Sequence, residues 1–454
     1  MAQNIFLSDV FPLKINDNID IISQQSGYNY FIQSSGNGYQ VHRLDAELKN
    51  LRTILLPLNE RKSEVVFSGF VNKNLNIVYK YRIRSELCFK IMIYDVDLNL
   101  KDSTTLTCFP NSVYNPQIQV IPSEDKNSLL VFYSHLSDFS QFLSFDLGSK
   151  KLNWSYKWDH ILEKTEFRFL EKVLFDNKGN AILVFNDQIA VKNKYAIGCA
   201  YLTKNGVIRK TFFDLPFNVY ESDWFVDNKN QKLLLVGTYS NDKGRKANGS
   251  LYCSSSIPFT NDSLYYCMNP FTPGLIGAYL NEKEKPEKGI DDFYIPNAIL
   301  KQEGGVVFII EKNKKIERYI SGRSTNFGGV GRNIIDHYYD DLMVISLSKS
   351  GIIEWMAPLA KKQFSQDDDG DFSSFLLIKG SNLLRILFND EIKNENTISQ
   401  YIVRSDGSYE RKSLLNTDYR KLKIMFRQGK QVSSNACLIP CLSRNKLKFL
   451  KIEF

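Results

Sequence analysis

Val71–Tyr79 reads VNKNLNIVY, and three later stretches repeat its form: EDKNSLLVF at Glu124–Phe132, FDNKGNAILVF at Phe175–Phe185 and VDNKNQKLLLVG at Val226–Gly237. Each is a polar turn followed by a burst of aliphatic and β-branched residues. Their lysines, Lys73, Lys126, Lys178 and Lys229, recur about every fifty residues, a period that marks one supersecondary unit copied along the chain. A second phrase recurs between the copies, a strand end running into a turn, at Leu44–Leu48, Val96–Leu100, Phe145–Gly148, Leu202–Gly206, Leu347–Gly351 and Val403–Gly407. Asn, Asp and Gly in such turns accept the positive φ that a hairpin demands. One apolar strand separates the two phrases. The unit therefore has four strands, A to D, with the first phrase at the A–B turn and the second at the C–D turn.

A–B turns fall near Ser26, Lys73, Lys126, Lys178, Lys229, Glu303, Gly380 and Gln428, which makes eight units. The last, Lys421 to Phe454, has room for about three strands. The strand Ile5–Phe11 lacks a partner, and as the fourth strand of the last unit it would close a ring and remove its open edges. The expectation is an all-β fold, one β-propeller domain over residues 1–454, with eight four-stranded blades closed by pairing of the N- and C-terminal strands. Seven blades is the alternative. Two further signs agree. Trp154 and Trp355 follow equivalent turns on strand D and resemble the blade-locking tryptophans of quinoprotein-type propellers, and Ser348–Trp355 resembles the Asp-box turn of sialidase-type propellers. A large ring at that corner packs adjacent blades.

Composition supports strands: Phe (31) and Tyr (24) are abundant, and both favour the pleated sheet. The net charge of +8 comes from interspersed signs. The basic stretches Arg420–Lys430 and Arg444–Lys451 alternate with apolar residues, as a strand with one solvated face does, so nucleic acid is not an expected partner. No apolar run is long enough to span a membrane as a helix. The start, Met1-Ala2-Gln3-Asn4 directly before Ile5-Phe6-Leu7, reads as a mature exported chain restarted with Met. Of the seven cysteines, Cys88, Cys199 and Cys437 read as small core residues. In an oxidising compartment Cys253 with Cys267, or Cys437 with Cys441, is open to pairing.

Between Lys229 and Gly380 the rhythm breaks, because three insertions lengthen the units: Asn269–Asp292, with a short helix expected around Pro273–Asn281, Ile320–Asp340 and Pro358–Asp371. The first and third are D→A connections and the second a B→C connection, so all three emerge on one face. Long connections of this kind carry function. Within them, Asp367-Asp368-Asp369-Gly370-Asp371 has alternate carboxylates but fails the calcium-loop register, which needs Glu where Leu376 stands. Gly328-Gly329-Val330-Gly331 lacks the strand–helix setting of a phosphate cradle. No catalytic, metal or cofactor motif emerges. His337, among tyrosines and carboxylates, has no second histidine near it in sequence. Leu387-Phe388-Asn389-Asp390 with Lys393-Asn394 echoes Val184-Phe185-Asn186-Asp187 with Lys192-Asn193 at the equivalent blade position.

The stretch Gly304–Phe454 resembles a family of exported, propeller-like proteins of Bacteroidetes-type bacteria, mostly of unassigned function. Tyr338–Leu347, Gly351 with Glu354-Trp355, Lys362-Gln363, Asp371–Phe375 and Leu387–Asp390 with Lys393-Asn394 carry the likeness. It implies the fold and an envelope setting, and no catalytic residue. The reading that follows is a non-enzymatic binding or scaffold propeller of the bacterial cell envelope, with no cofactor or metal, recognising a protein or glycan. Its contact surface would include Arg323, Asn326, Arg332, His337, Tyr338, Tyr339, Lys362, Gln363, Asp367, Asp369, Asn389, Asp390, Lys393 and Asn394. The alternative is a propeller glycan hydrolase or lyase that draws an acid and a base from Asp336, Asp340, Asp367, Asp369 and Asp390.

Overall fold

In the computed structural model the chain is described from residue 4 to 454 apart from 15–16, 37, 59–61, 111–116, 136–138, 160–169, 188–194, 242–245, 260–262, 281–288, 321–331, 393–394, 417–421 and 445. Eight antiparallel sheets follow one another. Blade one consists of strands A to D at Asn18–Gln25, Tyr28–Ser35, Gly38–Leu44 and Asn50–Leu55. Blades two to seven repeat this order over 64–110, 117–159, 170–215, 218–270, 293–359 and 376–416. Strand A is innermost, and that of blade one touches those of both blade two and blade eight. Among the described residues no helix is long and apolar enough to cross a membrane.

Blade eight joins the two ends of the chain. Its strand A is split into Leu422–Ile424 and Lys430–Ser433, followed by B at Ala436–Ser443 and C at Lys446–Glu453. Asn4–Leu7 supplies strand D, in a register running from Asn4↔Glu453 to Leu7↔Leu450. The expected closure is therefore present, with one shift. Gln428 lies in a 3-10 turn that interrupts strand A, and the A–B turn falls at 434–435 instead. The expected half-solvated strand at Arg444–Lys451 also needs correcting. Leu447, Phe449, Leu450 and Ile452 are all buried, so both faces of strand C are covered. Lys451 is buried with them, donating to Ala46 O (3.1 Å) and pairing with Glu453 (2.6 Å).

The apolar core is eight clusters, each lying between two consecutive blades. In blade five, Leu233 and Leu235 pack towards blade four, while Leu234 and Val236 pack towards blade six. Successive residues of a strand point to opposite faces, so a strand buried on both reads as a continuous apolar run. That is the burst seen in the repeated phrase.

The polar half of the phrase joins the turns. Asn177 Oδ1 accepts from Asp125 N (3.2 Å), and Asn228 Oδ1 accepts from Asn177 N (2.8 Å), which ties blade three to four and four to five. Both tryptophans reach the next blade, Trp154 Nε1 donating to Gly179 O (2.7 Å) and Trp355 Nε1 to Ser405 O (2.8 Å). Gly407, at φ +84°, sits so close to that ring that an added Cβ would lie 2.8 Å from Trp355 Cβ.

One cysteine departs from expectation. Cys88 is not a free core thiol. It faces Cys108 across strands C and D of blade two, with Cα atoms 4.1 Å apart, and the two form a disulfide. Cys253, Cys267, Cys437 and Cys441 are free, and burial pushes the thiols of Cys437 and Cys441 up to about 12.

At the seam between blades eight and one, His42 is buried, stacked on Phe31 (centroids 4.3 Å apart) and edge-on to Phe11 (5.3 Å). Burial depresses its pKa to about 4. The folded chain keeps His42 neutral, whereas the unfolded chain protonates it below its ordinary value near 6.5. Its contribution is complete above pH 6.5 and is lost as the pH falls towards 4, at a cost of about 3 kcal/mol. In urea unfolding at pH 7.5 and pH 4, His42→Leu should narrow the stability difference by about that amount.

Candidate functional site

Strands B and C of blade six, Val306–Ile320 and Arg332–Leu347, outrun their sheet. Within the blade they pair as far as Glu311↔Leu342, and past a register break Asn313–Ile320 pairs with Arg332–Tyr339. At the rise of an extended chain this hairpin projects about 25 Å. Lys312, Asp340 and Asp341 fall in the break, a bulge of the kind that bends a strand and re-aims it. The connection to blade seven then folds back, and Phe364–Gln366 adds to the hairpin through Tyr338↔Phe364, His337↔Ser365 and Asp336↔Gln366. The second and third insertions thus build one three-stranded extension rather than separate loops. The first contributes the helix Pro273–Leu280, whose Tyr279 is buried and lies in the field of Asp341, Glu311 and Asp340.

A buried ion pair holds the foot of this extension. Lys361 Nζ lies 2.8 Å from Glu311 Oε1, and neither side chain is exposed. The ammonium also donates to Tyr339 O and Gln363 Oε1, both at 2.7 Å. Glu311 Oε2 accepts from Tyr294 OH (2.6 Å) and Ser374 Oγ (2.5 Å). Burial lowers the Lys361 pKa against the opposing pull of Glu311, and it raises the Asp341 carboxyl and the Tyr294 phenol. Gln363 continues the network. It takes Ser374 N on Oε1 (2.7 Å) and gives Nε2 to Asn389 O (2.8 Å). Asn389 Nδ2 in turn donates to Phe372 O (2.7 Å) and to Ile424 O (2.9 Å). Blades six, seven and eight are joined at the extension's base.

The residues singled out from sequence divide. Arg323, Asn326, Lys393 and Asn394 lie outside the described residues, as does the side chain of Arg332. Lys362 is exposed, and Tyr338 is half-buried with its ring 5.2 Å from that of Phe364. Tyr339, His337, Gln363 and Asp390 are buried, so none presents an open contact surface. Tyr339 OH accepts from Arg427 Nη1 (3.2 Å), which also donates to Asp369 O (3.2 Å). Asp367 Oδ1 accepts from Ile335 N (2.8 Å) and fastens the acidic loop to the hairpin. Asp390 accepts from Ser399 Oγ (2.8 Å) and pairs with Arg411. Asp336 holds Arg318 at Nε (2.5 Å) and Nη2 (3.0 Å), and accepts from Gln366 Nε2 (2.8 Å). Several carboxylates assembled for a hydrolase reading therefore already have structural partners.

Beside the returning segment a cleft of about 250 Å³ opens towards blades seven and eight. Phe364, Gln366, Asp368, Phe372, Asn389 and Lys423 line it, and of the residues expected from sequence it gathers Gln363 and Asn389. Glu311, Lys361, Phe364 and Lys423 were not anticipated. Among the described residues the one trio of candidate metal ligands is Glu86, Cys88 and Cys108, and its thiols are joined to each other.

No protein-family model and no curated protein sequence matches the chain. Solved propellers resemble it at low identity. The β-propeller domain of the Trilobed protease from Pyrococcus furiosus is 11% identical (TM-score 0.40), over 90% of this chain and 97% of that one. The WD40 domain of SCAP from fission yeast is 10% identical (TM-score 0.40), over 100% and 98%. An uncharacterised protein from Listeria monocytogenes is 9% identical (TM-score 0.39), over 85% and 93%. These similarities add nothing to the architecture already given by the sheet topology.

Removing one partner of a buried pair strands the other charge, at a cost of about 3–5 kcal/mol. Lys361→Met should lose that much stability in urea unfolding, and Lys361→Met/Glu311→Gln should recover a large part of it.

Proposed function

We propose that this chain is a non-enzymatic binding propeller of the bacterial cell envelope, which recognises a protein or glycan partner through the face bearing the blade-six extension. The observation that carries this reading is the extension itself. A long hairpin, a returning strand and an open cleft are fixed to three blades by one buried network, so little ordering remains to be done on binding. Its outer residues are free to touch a partner: Tyr319 is 69% exposed and Phe364 is 42% exposed. The carboxylates Asp336, Asp367 and Asp390 are engaged by Arg318, by Ile335 N and by Arg411, which favours binding over hydrolysis.

The envelope setting draws on the Cys88–Cys108 disulfide, since such bonds persist in oxidising compartments. It draws also on the resemblance of Gly304–Phe454 to exported bacterial propellers. A hydrolase or lyase reading has one observation in its favour. Desolvation among the inner strands raises the carboxyls of Glu171, itself solvent-exposed, and Glu221, on neighbouring strands of blades four and five, and Glu171 adds to the rise at Glu221. Those groups occupy a different sector of the ring, and Glu171 already accepts from Trp224 Nε1 (3.1 Å).

Site-specific photo-crosslinking in cells of the source organism tests the binding reading. A crosslinker in place of Tyr319 should yield a discrete adduct that Lys362→Ala/Tyr338→Ala diminishes at least tenfold. One in place of Lys178, in an A–B turn on the other face, should yield none. Adducts from position 178 alone would place the partner elsewhere and sink this reading.

A further inference from the structure

We infer that the cleft beside Phe364–Gln366 binds a neutral, hydroxyl-rich ligand, a sugar unit of a glycan. This rests on the binding reading above and narrows it. The orientation of the cleft's polar groups carries the inference. Asn389 Nδ2 donates to two carbonyl oxygens, Phe372 O and Ile424 O, which fixes the amide's orientation and leaves Oδ1 as its unused polar atom. Gln366 Nε2 donates one N–H to the Asp336 carboxylate, which leaves its second N–H and Oε1. Asp368 receives Gly370 N on Oδ1 (3.0 Å), which leaves Oδ2. Among the described residues, three side chains that line this one cleft each keep an oxygen without a bonded donor, and beside them Ser373 Oγ donates to Ser365 Oγ (3.2 Å), which leaves the Ser365 proton to donate.

A complementary ligand supplies several donors. An anion is disfavoured, because three of the lining side chains offer acceptor oxygens and Lys423 is the one cation among the described lining residues. A cation gains Asp368 but meets Lys423. An extended peptide offers backbone donors and acceptors in equal number, whereas these three side chains all offer acceptor oxygens. A sugar matches on two counts. Its hydroxyls donate to the three oxygens, and its C–H face lies on the rings of Phe364 and Phe372, as apolar ring faces do on aromatic side chains. Tyr338, whose ring is 5.2 Å from that of Phe364, prolongs the aromatic wall. The volume of about 250 Å³ lies just below the range of about 300–1,000 Å³ usual for small-molecule sites, which suits one sugar ring with the chain leaving through the open side.

The test is titration of the full chain with cellobiose, maltose and N,N′-diacetylchitobiose, read by saturation-transfer NMR and calorimetry. Sucrose octasulfate and the tripeptide Gly-Lys-Gly serve as anionic and peptide probes. At least one neutral disaccharide should bind. Phe364→Ala and Asp368→Asn should each weaken it at least tenfold with the thermal midpoint unchanged, and Lys178→Gln, in an A–B turn on the other face, should leave it unchanged. Asp368→Asn keeps an acceptor for Gly370 N while turning the free oxygen into a donor, so it tests polarity without removing the side chain. The inference is overturned if none of the three disaccharides binds, if binding survives both variants unchanged, or if only the octasulfate or the tripeptide binds. Failure here with the Tyr319 adduct intact overturns the sugar assignment alone, and loss of the adduct overturns the binding reading itself.

Discussion

Every blade buries both of its faces, and it does so against other blades. The alternating split of Leu233 and Leu235 from Leu234 and Val236 is the local form of this constraint. A sheet that is apolar on both sides cannot end in water without exposing a large apolar surface. An open arc of eight such sheets would leave two uncovered faces, one on blade one and one on blade eight. Closure covers both. At the seam Phe11, Phe31 and Phe449 meet with ring centroids 5.1 Å and 4.3 Å apart, and Lys430 Nζ reaches Ile21 O (2.8 Å) from one inner strand to the next.

The same logic explains why the turns are polar yet not free to vary. Asn177 and Asn228 each satisfy a backbone N–H in the preceding blade's turn, and Trp154 and Trp355 each satisfy a carbonyl in the following blade. The apolar bursts stack the blades, while these groups set the rotation between them. Blade six departs from the pattern only above its bulge. Below Glu311 it packs like its neighbours, and the added hairpin stands on a charged base fully enclosed by protein.

Much of the fold was legible because its period is written in local chemistry: turn residues that accept positive φ, followed by strands buried on two sides. The failures also have physical causes. Asn313-Lys314-Lys315-Ile316-Glu317-Arg318 carries no apolar alternation, because beyond the blade the strand is solvated on most sides, so its length could not be read from hydrophobicity. Lys361 and Lys362 look alike in sequence. Only the fold brings Glu311 to one of them and leaves the other in water. Gln428 was mistaken for a turn between strands because a 3-10 turn splits one strand in two. Cys88 pairs with Cys108 because the C–D register of blade two sets them opposite, a fact about pairing rather than composition. At the site, the sequence marks Gln363 and Asn389 by their place in an insertion and at a strand exit, whereas their roles in a continuous hydrogen-bond chain arise only where the fold brings three blades together.

The seam also sets an order of events. The strand Asn4–Leu7 is made more than four hundred residues before its partner Lys446–Glu453. At translation rates of about 5–20 residues per second, blade one exists on the order of a minute before its closing partner. Until then seven blades can stack but none is final, since blade one lacks a neighbour on one side. The ring is thus committed as a whole, when its two end strands meet.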